Sequence, residues 1–154
     1  MRDIMLRRAR ADESDAVAAL FRLSLQTGLP FLAERHTLEE DRAFFRDRVF
    51  AACDVWVAER DGELVGLCAF REGWLDHLYG HPEHHRSGIG AALLQKAKDA
   101  NEQLQLWAFQ RDENALRFYE SQGFRLVKKT DGQHNEEREP DALYAWERSS
   151  RLRR

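Results

Sequence analysis

The chain has 154 residues, a formal net charge of −3 and 43% hydrophobic residues. This length favours one domain with a buried core, and the slightly negative charge argues against a basic field that would recruit nucleic acid. Neither a membrane-spanning run nor a signal peptide is apparent, and two cysteines do not suggest a disulfide framework. We therefore expect a single cytoplasmic domain over residues 1–148, without nucleic-acid or membrane partners, and a flexible basic tail over residues 149–154.

The N-terminal third alternates between extended and helical patterns. A strand is predicted over residues 4–8, and Asp12 is a candidate cap for the helix that follows. Thr37 and Glu40 have the spacing of a capping box, which predicts the start of a second helix. The apolar residues of that helix recur at helical spacing and are expected to be buried; they are Leu38, Phe45 and Val49.

The rest of the chain predicts a sheet interrupted by two more helices. Asp61-Gly62 is a strong signal for a hairpin between two strands, and Gly123 is expected to end a helix. The predicted strands cover 54–60, 63–70, 74–80, 103–109, 124–130 and 142–147, and the helices begin near Gly90 and at Asp112. The order β-α-α-β-β-β-α-β-α-β-β indicates an α+β fold with a mixed, mostly antiparallel sheet of six to seven strands and about four helices.

A glycine-containing helix start follows the fourth predicted strand. Gly88-Ile89-Gly90 opens the third predicted helix, where unpaired backbone N–H groups and the helix dipole favour an anion. Two glycines allow that anion to approach without a Cβ in the way. Ala91-Ala92 follows instead of a Lys-Ser/Thr pair, which argues against a P-loop.

Two motifs resemble those of the GNAT superfamily of acyl-CoA N-acyltransferases. His85-Arg86-Ser87-Gly88-Ile89-Gly90 is similar to the family's pyrophosphate loop, Gln/Arg-x-x-Gly-x-Gly/Ala. The segment from Asp112 to Tyr119, followed by Gly123-Phe124, is similar to Asn-x-x-Ala-x-x-Phe-Tyr and Gly-Phe. Together with the order of the elements, these motifs imply the GNAT fold. Two further segments, residues 106–111 and 135–140, resemble a subgroup of bacterial members of the superfamily.

The resemblance implies transfer of an acetyl group from acetyl-CoA to a primary amine of a small molecule or protein, by direct attack on the thioester and without a metal. A non-catalytic acyl-CoA-binding or sensor domain on the same fold is the alternative. The implied cofactor-binding residues are those around the helix start, the fourth strand's end and the second motif: Leu78, Tyr79, Gly80, His85, Arg86, Ser87, Gly88, Ile89, Gly90, Ala91, Asp112, Asn114, Ala115 and Phe118.

The two motifs depart from the family pattern at two positions. His85 stands where Gln or Arg is usual, which a loop that acts through backbone N–H groups tolerates. Asp112 stands where Asn is usual, and an ionised carboxylate cannot donate a hydrogen bond as an amide can. Ser87 could cap the helix that the first motif opens.

Three residues are candidates for the proton transfers. Tyr119 matches the family's tyrosine, and a phenol is protonated at neutral pH and can protonate the thiolate leaving group; alternatively, it only packs on the buried side of its helix. Asp76 and His77 are candidates for the base that accepts the amine's proton. Because neighbouring residues of a strand alternate, only one of the two is expected to face the substrate cleft.

Acceptor-binding candidates lie in two polar segments. Glu34 and His36 belong to the connector between the first two helices, and Glu136 and Glu137 belong to an acidic segment that either attracts a cationic amine or is only a solvated loop. The histidines at 77, 81, 84 and 85 lack the spacing of a metal site, and none is expected. The four tryptophans, Trp56, Trp74, Trp107 and Trp146, are expected in the core, and exposed edge strands are compatible with a homodimer.

Overall fold

A computed structural model describes residues 3–30, 35–84 and 87–148. The strands and helices in these ranges, in chain order, are β1 Met5–Arg8, α1 Ser14–Gly28, α2 Leu38–Phe44, β2 Asp54–Arg60, β3 Glu63–Arg71, β4 Trp74–Gly80, α3 Ile89–Asp99, β5 Gln103–Phe109, α4 Glu113–Ser121, β6 Arg125–Lys129 and β7 Asp141–Glu147. A π-helical stretch, Phe45–Val49, and a last turn, Phe50–Ala52, continue α2. The predicted order of elements is confirmed.

The seven strands form one sheet in the order β1-β2-β3-β4-β5-β7-β6. Its pairs are antiparallel except for β4 and β5, which are parallel and share the ladder pair Trp74↔Gln105. The Gln105 amide donates to the Gly73 carbonyl at 2.8 Å. No further ladder pair follows toward Gly80 within the described ranges, and this opening is called the β4–β5 gap below. The mixed, mostly antiparallel sheet and the α+β class are confirmed.

Helices cover both faces of the sheet. On one face, α3 buries Ile89, Leu93 and Ala97, and α4 packs against the same apolar cluster. On the other face, residues of α1 and of the α2 segment, including Val17 and Phe45, form a second cluster. The sheet therefore separates an α3/α4 face from an α1/α2 face.

Gly66 in β3 lets α3 lie directly on the sheet. A Cβ at this position would lie 2.7 Å from Ile89 Cγ2 and 2.9 Å from Leu93 Cδ1, which is closer than side chains pack. Gly66 pairs with Gly80, the last residue of β4. The contact therefore places the first turn of α3 beside the end of β4.

Local signals in the sequence predicted the turns well. Asp61 and Gly62 have φ values of 52° and 84°, as a type I′ hairpin requires. The Thr37 hydroxyl accepts from the Glu40 amide at 3.1 Å, and Glu40 accepts from the Thr37 amide at 2.7 Å, which confirms the capping box. Gly123, with φ 94°, follows the end of α4 as predicted.

Two predictions near helix starts are wrong. Asp12 lies inside a 3₁₀ turn, and Glu13 is the residue that precedes α1. The Glu13 carboxylate accepts from the Arg10 amide and pairs with Arg7, which fixes this turn before the helix. Leu38 is 36% exposed instead of buried, because it is the first residue of α2 and precedes the part of that helix that packs on the sheet.

Several sequence predictions concern residues outside the described ranges. These are the basic tail over 149–154, the loop residues His85 and Arg86, and the candidate Glu34. Among the helices of the described ranges, none has the length and apolarity to cross a bilayer.

Candidate active site

The start of α3 has the form of an anion site. Gly88 is the residue before the helix and has φ 85°, a left-handed conformation that favours glycine. No side chain caps this helix end in the described ranges. Ser87, the predicted cap, instead donates its hydroxyl to the His84 carbonyl at 2.6 Å. The free amides of the first turn, including that of Gly90, therefore remain available to a ligand.

The loop before α3 is held by its histidines. The His81 amide donates to the Val65 carbonyl at 2.8 Å, and the His81 ring accepts from the Glu83 amide at 3.0 Å. Arg60 lies 3.0 Å from His84 Nδ1. These contacts give His81 and His84 structural roles in the loop. The described part of the chain contains no group of three or more His, Cys, Asp or Glu side chains able to hold a metal ion.

The end of β4 presents an open backbone edge. Leu78, Tyr79 and Gly80 pair with β3 on one side only, and their other side borders the β4–β5 gap. Leu78 packs on the α3/α4 face and Tyr79 on the α1/α2 face. An extended ligand with amide groups could therefore pair with this edge as an added strand.

Tyr119 of α4 packs on the α3/α4 cluster and lies near Tyr79 of β4. Its ring packs 5.4 Å from that of Phe118 and 5.6 Å from that of Phe124, measured between centroids. Burial raises the pKa of its phenol, and the neighbouring Tyr79 and Asp112 raise it further. No described residue makes a hydrogen bond to the Tyr119 hydroxyl. The phenol is therefore protonated at neutral pH, and its proton is free for donation.

The second motif contributes Asp112 as a helix cap. Its carboxylate accepts from the Ala115 amide at 3.3 Å and precedes α4, and burial raises its pKa. Asn114 is exposed, and its carbonyl oxygen accepts from Arg117 at 2.8 Å. The replacement of the usual Asn by Asp thus preserves a cap, and the role of either side chain toward a cofactor stays a prediction.

A β-bulge in β4 changes the direction of its side chains. Leu75 pairs with Phe70 and His77 with Ala69, so Asp76 is an extra residue without an opposite partner. Asp76 and His77 consequently line one and the same cleft on the α1/α2 face. The expectation that only one of them would face a cleft is wrong, because the bulge interrupts the alternation.

The two candidate bases lie in different surroundings. Both oxygens of Asp76 are engaged by Arg71, at 2.6 and 3.2 Å, and the Cys53 thiol lies 3.5 Å from Oδ2. Burial raises the pKa of Cys53 to about 12, so this thiol stays protonated. His77 instead packs against the rings of Phe21 and Phe45, with centroid distances of 5.8 and 5.4 Å.

His77 carries an unpaired ring nitrogen. Burial lowers its pKa to about 4, so the imidazole is neutral at pH 7. Its Nδ1 is buried and has no hydrogen-bond partner among the described residues. Buried polar atoms are normally satisfied, so this nitrogen can still take a water or a ligand as its hydrogen-bond partner.

The cleft beside His77 encloses about 680 Å³. Phe44 and Trp107 stand in it with 43% and 41% of their surface exposed, which is unusual for such large apolar side chains. The prediction that Trp107 is a core residue is wrong, because alternation along β5 turns Leu104, Leu106 and Ala108 toward the α3/α4 cluster and Trp107 toward the other face. Sequence reasoning also missed Phe44 and Arg48, whose spacing of four on one helix was the available signal. The remaining residues of the lining are Val49, Ala52, Cys53, Arg71, Trp74, Leu75 and Asp76, so a second tryptophan that was predicted for the core, Trp74, also lines this cleft.

The predicted acceptor residues come together from two segments. His36 Nε2 lies 2.9 Å from Glu136 Oε1, and Arg35 donates to the Glu136 carbonyl at 2.9 Å. Glu137 is close enough to Tyr79 to raise the pKa of that phenol. His36 also lines a second cavity, of about 660 Å³, beside the start of α2.

The acidic segment between β6 and β7 is ordered around Asp141, which is 4% exposed. Its carboxylate binds the Thr130 hydroxyl, the Asn135 amide at 3.1 Å and His134 at 3.2 Å. These contacts anchor the backbone of the segment at a buried carboxylate, and the Glu136 carboxylate is positioned by its contact with His36.

Comparison with known families and relatives agrees with this geometry. The family model described as Acetyltransferase (GNAT) domain matches residues 51–126. The chain is 33% identical over 124 residues to the peptidyl-lysine N-acetyltransferase YiaC of Escherichia coli, an alignment that covers 80% of the chain and 84% of YiaC.

Solved structures share the fold. The apo-form YjaB structure from Escherichia coli superposes with a TM-score of 0.78 and 22% identity, covering 94% of the chain and 97% of YjaB. The PaiA N-acetyltransferase of Thermoplasma acidophilum, solved in complex with coenzyme A, superposes with a TM-score of 0.72 and 18% identity, covering 95% of the chain and 99% of PaiA.

Proposed function

The chain belongs to the GNAT family of acetyltransferases, and from this membership we propose that it transfers the acetyl group of acetyl-CoA to the side-chain amine of a peptidyl lysine. The choice of a peptidyl lysine as the acceptor is supported by the 33% identity with YiaC, in an alignment that spans most of both chains. The alternative of a non-catalytic acyl-CoA sensor is not favoured, because the matched relatives are named as enzymes.

The donor side of the reaction is formed by the α3/α4 face. The start of α3 at Gly88 offers backbone amides to the pyrophosphate of acetyl-CoA, and the open edge of Leu78 to Gly80 pairs with the amides of its pantetheine arm. Acetyl-CoA supplies an activated thioester. The residues His85 to Ala91, together with Asp112, Asn114, Ala115 and Phe118, complete the proposed cofactor set.

The acceptor approaches from the opposite face. Asp76 and His77 line a cleft on the α1/α2 face, and the Tyr79 ring lies 6.2 Å from that of His77, at the end of β4 that borders the β4–β5 gap. Donor and acceptor thus meet in the gap from two sides of the sheet, which keeps the acceptor's path clear of the bound arm. Glu34, His36, Glu136 and Glu137 provide further acceptor contacts in this proposal.

Two residues handle the protons. The amine nitrogen forms a bond to the carbonyl carbon while the carbon–sulfur bond breaks, and Tyr119 donates its phenolic proton to the departing sulfur. His77 stays a candidate for the base that takes up the amine's proton through water, but burial lowers its pKa to about 4 and makes the imidazole a weak base. Asp76 holds the cleft wall through its pair with Arg71.

The setting of the enzyme is part of the proposal. Cys53 and Cys68 are both free thiols, which suits the reducing cytoplasm. β6 is an edge strand with Leu126 and Val127 exposed at 46% and 54%, and such an edge suits pairing with a second copy.

A Tyr119→Phe variant tests the chemistry. We expect kcat for thiol release from acetyl-CoA with a lysine peptide to fall by about 100-fold or more, while the KM for acetyl-CoA changes little, because the ring keeps its packing and loses only the donor.

Tyr144→Phe is the matched control, because it removes a phenol whose hydroxyl bonds Glu120 at 3.0 Å. Its kcat should stay within about twofold of the parent. Full activity of Tyr119→Phe would refute the assigned acid. Stabilisation by acetyl-CoA without thiol release on any amine would instead support the sensor function.

A further inference from the structure

The cleft beside His77 carries an excess of positive charge. Two arginines, Arg48 and Arg71, and one carboxylate, Asp76, are the ionised groups of its lining. Asp76 is occupied by a bidentate pair with Arg71. Lys128 adds a further cation at the rim, with its Nζ 5.9 Å from the centre of the Trp107 ring. A cleft of this charge disfavours a second cation beside the acceptor amine.

Arg48 differs from the other arginines of its helix segment. Arg42 pairs with Glu39 at 3.0 Å and Arg46 with Asp47 at 2.9 Å. Arg48 forms no ion pair within the described ranges, although it is exposed at the cleft. A guanidinium that lies in a cleft and keeps its five donors free is suited to bind a carboxylate.

The backbone around Arg48 is also specialised. Phe45–Val49 is π-helical, and single π turns inside helices are frequently found at functional sites. The turn buries Phe45 completely against the sheet, while Phe44 and Arg48 stand in the cleft. The exposed rings of Phe44 and Trp107 give the cleft apolar walls beside its cations.

We infer that this cleft binds an acidic residue next to the acceptor lysine, with Arg48 as the main contact of its carboxylate. The inference rests on the proposed function, since it specifies the peptide that the same enzyme acetylates. The peptide's lysine enters the gap near Tyr79, and a neighbouring Asp or Glu lies between the aromatic walls and binds Arg48. Charge complementarity thus selects acidic sequence contexts among the many lysines of the cell.

Paired peptides test the inference. The acidic peptide of each pair has Asp or Glu on either side of a single lysine, and the neutral peptide has Asn or Gln at the same positions. At low ionic strength we expect the acidic peptides to have a KM about fivefold lower at similar kcat, and we expect the advantage to shrink with added salt.

Variants identify the contact. Arg48→Gln should abolish the preference and leave the neutral peptides unchanged, whereas Arg46→Gln, which alters an exposed arginine paired with Asp47, should keep it. Equal KM values for acidic and neutral peptides, or an equal loss for both in Arg48→Gln, would overturn the inference. A preference for free amino acids over acidic peptides would also overturn it.

A measurement of peptide binding tests this inference independently of the proposed function. Fluorescence anisotropy of labelled peptides in the presence of coenzyme A reports occupancy of the cleft without turnover. Tighter binding of the acidic peptide that depends on Arg48 supports the inference even if no lysine is acetylated. Acetylation without this binding preference supports the activity and refutes the cleft assignment.

Discussion

At the scale of single residues, the burial of His77 affects both the stability of the fold and the protonation of the side chain. The imidazole is buried among aromatic rings, which disfavours its charged form and lowers its pKa to about 4. The same burial leaves Nδ1 without a partner in the described structure. Burying this unpaired nitrogen lowers the free energy of unfolding, and a hydrogen bond from a ligand nitrogen would offset the loss.

This burial predicts a pH dependence of stability. In the unfolded chain His77 takes up a proton near its ordinary pKa of about 6.5, whereas the folded protein does so only near pH 4. The free energy of unfolding should therefore fall by about 2 kcal/mol between pH 7 and pH 5. Urea unfolding of the parent and of His77→Leu measures this difference. An equally large fall in the variant would show that another group is responsible.

At the residue scale, positions set by a local motif were easier to predict than side-chain directions set by strand register. Tyr119 was chosen from a motif whose spacing is local to one helix, and its catalytic role stays a prediction; its ring packs on the α3/α4 cluster. The shared orientation of Asp76 and His77 depends on a bulge that only the pairing with β3 reveals. The orientation of Trp107 is encoded locally, since the alternation of Leu104, Leu106 and Ala108 along β5 puts Trp107 on the opposite face, but the cover that this face receives depends on tertiary packing.

At the scale of elements, the position of α3 depends on one glycine. Gly66 is where the helix touches β3, and its partner Gly80 ends the strand that borders the gap. The distance between the helix start and the backbone edge is therefore set by a contact with no room for a methyl group.

Gly66→Ala should disturb stability and donor binding together. The added Cβ would meet Ile89 and Leu93, so we expect a loss of about 1–3 kcal/mol in the free energy of unfolding and a higher KM for acetyl-CoA. Gly28→Ala, at the end of α1, is the control, since its Cβ would meet nothing within 4 Å. Thermal unfolding and donor-dependent rates measure both effects. An unchanged KM in Gly66→Ala would show that the helix start is set elsewhere.

Elements defined by local signals were predicted correctly. The capping box at Thr37 and the hairpin at Asp61-Gly62 act within a few residues, so the sequence alone specifies them. The π-helical turn of Phe45–Val49 was not predicted, because packing of Phe45 on the sheet stabilises it and no sequence pattern marks it.

At the scale of the whole molecule, the N-terminal edge of the sheet is fastened by an ionic network. Arg7 pairs with Glu13 at 2.8 Å and with Glu59 at 2.9 Å, which joins β1, the turn before α1 and β2. The Arg7 guanidinium is the main cause of the low pKa of Glu13, about 2. The network therefore stabilises the fold only while Glu13 is ionised.

This network predicts a second acid transition. Because the pKa of Glu13 is lowered on folding, its contribution is complete above about pH 4.5 and is lost as the pH falls toward 2. Glu13→Gln should lower the free energy of unfolding at pH 7 by about 1.5–3 kcal/mol and flatten the profile below pH 4.5. Circular dichroism during acid titration measures it. Coincident acid profiles for parent and variant would exclude the network as the cause.

The antiparallel character of the whole sheet followed from its hairpins, but its strand order did not. The placement of β7 between β5 and β6 depends on contacts between residues that are far apart in the sequence. Pairing across the acidic segment allowed a simple hairpin, and the additional pairing of β7 with β5 arises only when the hairpin docks on the rest of the sheet.

The single ladder pair between β4 and β5 also bears on how the protein is assembled. Strands β1 to β4 come from residues 5–80 and strands β5 to β7 from residues 103–147, so each half of the sheet is one continuous stretch of chain. The first half can complete its pairing on the ribosome before β5 is synthesised. The gap between β4 and β5 thus marks the boundary between these two stretches of chain, and one apolar cluster joins them, with Val65 and Leu75 from the first stretch and Leu106 and Tyr144 from the second.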